Sequence, residues 1–78
     1  MARLWLLSDD GDVVLYQYQV ENEEKKGQVT YSRTHKGFKF LDTIIEESPR
    51  MYHNGIGMAL FKMAKANDFK KYYVVAMF

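Results

Sequence analysis

The chain has no cysteine, one proline, five glycines and a near balance of charge, with 11 Lys+Arg against 10 Asp+Glu in 78 residues. The absence of cysteine excludes disulfides and thiolate metal sites. The shortage of proline and glycine excludes a low-complexity linker, and no internal repeat is present. The longest apolar run, Tyr72–Phe78, falls far short of the ~20 residues of a membrane span. The apolar start Leu4–Leu7 is too short for a signal sequence, and Asp9 and Asp10 follow it at once. The cytosol is the expected compartment, with no membrane partner. Hydrophobic residues make up 47% of the chain and aromatics 15%, too much for disorder. The length allows a single domain, residues 1–78, with a thin core. Such a core often leans on a second copy of the chain.

Charge is spread unevenly. Residues 1–24 carry a net −5 and residues 25–78 a net +6. This asymmetry can steer an anionic ligand or orient a partner, and it also suits solvated hairpin turns.

Hydrophobic periodicity predicts the elements. Leu4–Leu7 reads as a short buried strand. Asp9-Asp10-Gly11-Asp12 reads as a turn, because Gly accepts positive φ and Asp bonds its own backbone. Val13–Val20 alternates, with Val14, Tyr16, Tyr18 and Val20 on one face and Gln17 and Gln19 on the other, more polar one. A charged turn around Gly27 leads to a third strand, Gln28–Thr34. After His35-Lys36-Gly37, residues Phe38–Ile45 read as a fourth strand, although Leu41, Ile44 and Ile45 also have helical spacing. Ser48-Pro49 stops whatever precedes it. A helix is predicted from Asn54 or Gly55 onward, its stripe being Ile56, Ala59, Leu60, Met63, Ala64 and Asn67. Asn67-Asp68 closes it, Asn being a common left-handed cap. Tyr72–Phe78 reads as an interior strand covered on both faces. A crossover is predicted to lay it parallel to an earlier strand. The expected fold class is α+β: an antiparallel meander of three or four strands, one main helix, and a C-terminal strand completing the sheet.

The segment from Ser48 to Leu60 is the first candidate for chemistry. Two glycines, Gly55 and Gly57, read as a loop running into a helix start. Helix N-termini expose unpaired N–H groups and the positive end of the dipole, and glycines let a phosphate approach closely. Gly55-Ile56-Gly57-Met58-Ala59-Leu60, with Ala64, Asn67 and the strand Tyr72–Val75, resembles the acetyl-CoA-binding core of GNAT-type N-acetyltransferases in its minimal form. Pro49 stands where that family often has a proline, whereas Tyr52 stands where it usually has Arg or Gln. The resemblance implies a small acyl-CoA-binding domain or a minimal acetyltransferase with acetyl-CoA as cofactor. It implies backbone amides from Asn54, Gly55, Ile56, Gly57 and Met58 on the pyrophosphate, and Ile44 and Ile45 beside the pantetheine arm.

Catalytic candidates are few. Glu46 and Glu47, just before the glycines, are placed to act as base, though they also suit exposed acids at a strand end. His53 and His35 have no carboxylate cluster beside them, so no metal site is expected. Two other function classes fit the residues. One is a non-enzymatic interaction module acting as a homodimer, through a strand edge or the wide apolar arc of the helix. The other is nucleic-acid binding, in which Lys25, Lys26, Arg33, His35, Lys36 and Lys39 interleave with Tyr31, Phe38 and Phe40.

Overall fold

A computed structural model describes residues 1–76. Five strands form one antiparallel sheet: β1 (Ala2–Asp9), β2 (Val13–Val20), β3 (Gly27–Ser32), β4 (Gly37–Phe40) and β5 (Tyr72–Val75). A 3₁₀ turn, Ile44–Glu47, and one long helix, α1 (Arg50–Lys65), separate β4 from β5. The strand order is β4-β3-β2-β1-β5. The fold is therefore α+β, a four-stranded meander with one main helix and a C-terminal strand in the sheet.

Alternation decides which side of the sheet is covered. Leu4, Val14, Tyr16, Tyr18, Val20, Val29 and Tyr31 share one face and are buried against Ile56, Leu60 and Met63 of α1. Full burial of Leu4, Ile56 and Leu60 contributes ~1.5–3 kcal/mol each. The two largest fully buried residues are tyrosines, Tyr16 and Tyr18, and each hydroxyl has a partner. Tyr16 donates to the Lys70 carbonyl at 2.6 Å, and Tyr18 donates to Asp42 Oδ1 at 2.7 Å. Burial pushes the Tyr16 phenol up to about 12 and raises that of Tyr18 as well.

The turns follow their residues. Gly11 has φ 96°, and the Asp9 and Asp10 carboxylates accept the Gly11 and Asp12 amides at 2.9 Å. Asn67 has φ 52°. Its N–H donates to the Ala64 carbonyl and that of Asp68 to the Met63 carbonyl, the paired bonds of a Schellman cap.

Four expectations are corrected. The first strand is longer than Leu4–Leu7, because pairing with β2 extends it to both sides. The Phe38–Ile45 strand ends at Phe40, and its second half becomes a turn and the 3₁₀ helix. The helix starts at Arg50 rather than near Gly55. Ser48 is extended, as the residue before proline must be, and Pro49 at the cap has φ −55°. The last strand is an edge, not an interior strand. It runs in the direction of β2 and β4 but pairs antiparallel with β1, from Ala2↔Val75 to Trp5↔Tyr72. The connection that carries α1 thus crosses the whole sheet, because the free side of β1 lies at the edge opposite β4. Of the predicted Tyr72–Phe78 strand, Ala76 lies beyond the strand end, and residues 77–78 lie outside the described residues.

The β1–β2 turn is tied to the end of β3. Arg33 donates twice to Asp9, both bonds at 2.8 Å, while its guanidinium lies 4.7 Å from the centre of the Phe69 ring. The Arg33 bonds, with the Gly11 amide, hold the Asp9 carboxyl at about 2 against an ordinary 3.8. A depressed carboxyl stabilises the fold fully above its unfolded value and loses that contribution as pH falls through its folded value. Arg33→Ala is therefore expected to flatten the acid limb of the Tm-against-pH curve between 3.8 and about 2. An unchanged limb in thermal melts would show that the pair contributes nothing.

Candidate functional site

The structure does not build the expected amide cradle. Asn54, Gly55, Ile56, Gly57 and Met58 all lie inside α1, where each amide serves an i→i−4 bond. Their side chains diverge as well. Ile56 is buried in the core, whereas Met58 is 55% exposed on the outer face. Gly57 has a packing role. A Cβ there would sit 2.3 Å from the Phe38 ring, so glycine lets β4 close on the helix. The free amides at the helix start belong to Arg50 and Met51, since Tyr52 N–H donates to the Pro49 carbonyl. Ile45 is buried, and Ile44 packs beside it against the core. Glu46 is exposed, on the rim of a depression with Arg50 and His53. Glu47 reaches Lys25 at 3.7 Å. No group of three or more His, Asp or Glu close enough to hold a metal occurs among the described residues. No helix among them is long and apolar enough to cross a membrane.

The basic-aromatic patch expected around residues 25–40 is also dispersed. Tyr31 is a core residue, and Phe40 packs edge-on against Tyr18 with ring centres 5.2 Å apart. Arg33 is committed to Asp9.

A different arrangement appears on the second face of the sheet, which α1 leaves uncovered. Register places Gln28, Gln17, Trp5 and Tyr72 side by side in one row across β3, β2, β1 and β5. The next row holds Gln19, Arg3 and Val74, and a third holds Lys39, Thr30, Leu15 and Ser8. Trp5 and Tyr72 touch, with ring centres 5.7 Å apart and planes tilted by 42°. Lys26 Nζ lies 5.1 Å above the Trp5 ring, a cation–π distance. Tyr72 is half-exposed. No strand residue on this face is a carboxylate; Asp9, the last residue of β1, is paired with Val14 of the core face.

Part of this face has a signal in the sequence. The polar side of Val13–Val20 already separates Gln17 and Gln19 from the core. Trp5 has none, because Leu4-Trp5-Leu6-Leu7 is apolar at every position and alternation cannot orient it. Tyr72 is hidden for the same reason within its own apolar run.

No family model, curated protein or solved structure matches the chain.

Proposed function

We propose that the uncovered face of the sheet binds single-stranded nucleic acid, with bases stacking on Trp5 and Tyr72 and phosphates held by Arg3, Lys26 and Lys39. The observation that carries this reading is the Trp5–Tyr72 pair capped by Lys26, on a sheet face whose strand residues include cations and amides but no carboxylate. Aromatic rings accept any base face, and each stacked base contributes ~1–3 kcal/mol. Gln17 neighbours Trp5 in the same row, and Gln28 follows it on β3. Each amide offers a donor and an acceptor to a base edge. The formal net charge of +1 is compatible with this, because the carboxylates lie off this face while Arg3 and Lys39 stand on it.

Trp5 is the only tryptophan in the chain, so its emission reads the site directly. Titration with an oligo-uridylate of about ten nucleotides at ~50 mM salt is expected to quench it. Three cations predict a log–log salt slope of about −2, and Lys26→Ala should reduce the slope by about 0.7. Tyr72→Ala is expected to weaken binding by about 5- to 150-fold, the equivalent of one lost stack. Absence of quenching and of any anisotropy change with both RNA and DNA strands would overturn the reading. Millimolar acetyl-CoA is expected to leave the melting temperature unchanged, since residues 54–58 are interior to α1. A clear upward shift would instead favour the acyl-CoA function.

A further inference from the structure

The two edges of the sheet are guarded differently. β4 carries Lys39 near its centre, and charged residues on an edge discourage pairing. β5 is Tyr72-Tyr73-Val74-Val75, with neither charge, proline nor glycine. The ladder with β1 fixes which of its backbone groups are free. Leu6 N–H donates to the Lys71 carbonyl at 2.9 Å. Antiparallel alternation then turns the backbone groups of Lys71, Tyr73 and Val75 toward β1 and those of Tyr72 and Val74 outward. The aromatic pair thus lies at the margin of one copy's platform, beside an open row of donors and acceptors.

We propose that β5 pairs antiparallel with β5 of a second copy about a two-fold axis, which joins the two uncovered faces into one platform of ten strands. What that platform holds rests on the nucleic-acid reading above. Outward groups must meet outward groups, so Tyr72 lies opposite the partner's Val74, and Val74 opposite the partner's Tyr72. Each is an aromatic–β-branched pair, a favourable cross-strand combination. In this register Lys71 faces the partner's Val75, so no like charges are directly opposed. Opposed residues in an antiparallel pair share a face. Both helices therefore stand on one side, and both Trp5–Tyr72 pairs on the other. On the helix side, a groove between α1 and β5 lined by Gly55, Met58, Ala59, Lys62 and Tyr73 is open, about 350 Å³ in volume. It leaves room for the approaching strand. The second copy supplies the other half of the site: an aromatic row marginal in one chain becomes central in two.

Sedimentation equilibrium on the full chain should give a dimer. Val74→Pro removes an outward N–H and no bond to β1, so it is expected to give a folded monomer by circular dichroism. Val74→Lys places a charge on the edge and should do the same. In the dimer, strands long enough to cross both halves are expected to bind at least ~10-fold more tightly than short ones, an advantage that Val74→Pro abolishes. Quenching of Trp5 by short strands should persist in that variant. A wild-type monomer at millimolar concentration overturns the pairing, and so do folded Val74 variants that remain dimeric. A dimer whose Trp5 no single strand quenches supports the pairing and overturns the nucleic-acid reading. A monomer that is quenched does the reverse.

Discussion

Asp42→Ala is expected to destabilise the protein by about 3 kcal/mol, and Tyr18→Phe in that background to restore about 1 kcal/mol of it. Asp42 follows β4 and closes three gaps at once. Its Oδ1 accepts the Tyr18 hydroxyl at 2.7 Å and the Ile44 amide at 3.3 Å, while Oδ2 accepts the Gln28 amide at 2.8 Å. Tyr18 has no exposed surface. Without Asp42 its hydroxyl is left unpaired in the core, which costs ~1–3 kcal/mol. The two amides lie nearer to solvent and contribute about 0.5–1.5 kcal/mol each. A domain of this size has roughly 4–12 kcal/mol in total, so the loss is a large share of it. Urea unfolding monitored by circular dichroism measures the change as a shift of midpoint at constant m-value. A loss under ~0.5 kcal/mol would mean that water replaces the carboxylate at all three donors.

The second large effect is predicted at Gly27, which lies opposite Tyr18 in the β2–β3 register. A Cβ at Gly27 would sit 2.4 Å from both Cζ and Oη of Tyr18. The φ of Gly27 is not positive, so alanine faces no backbone barrier, and the contact alone decides the outcome. The Tyr18 ring cannot swing away, because its side chain is enclosed and its hydroxyl is held by Asp42. Gly27→Ala is therefore expected to cost about 3 kcal/mol, at the upper end for overpacking. The reduced freedom of the unfolded chain offsets no more than about 1 kcal/mol of that. Gly37→Ala is the control. Its Cβ would meet only the His35 carbonyl, at 3.9 Å, and its effect should stay within ~0.5 kcal/mol. Combining Gly27→Ala with Tyr18→Leu, which vacates the ring's place, should cost less than the sum of the two single changes. Simple additivity would place the cause elsewhere than in this contact.

The elements most legible in the sequence were those set by short-range chemistry. Period-two alternation placed Tyr16 and Tyr18 on the core face, Asp9–Gly11 gave the turn, and Asn67 gave the helix cap. The helix start was obscured because Gly55 and Gly57 disfavour helix by ~1 kcal/mol each, and that cost is outweighed by a partner distant in sequence. Phe38 needs the bare backbone of Gly57, a contact that no local pattern reveals. The position of β5 was hidden for a related reason. Tyr72–Val75 is apolar throughout, so its pattern does not distinguish an interior strand from an edge, and only the vacant side of β1 decides. The uncovered face was half legible: the glutamines declared themselves by alternation, while Trp5 and Tyr72 were masked by apolar neighbours.

The location of Trp5 also governs how unfolding is observed. Tyr16, Tyr18 and Tyr31 are buried in the core, while the single indole rests against Tyr72 of β5. Tryptophan emission thus senses the detachment of β5, and far-ultraviolet ellipticity senses the melting of the sheet and helix as a whole. Under mild denaturant the two signals should part, with the indole responding first. In a monomer such as Val74→Pro, such non-coincidence would mimic a folding intermediate while reporting only a frayed border.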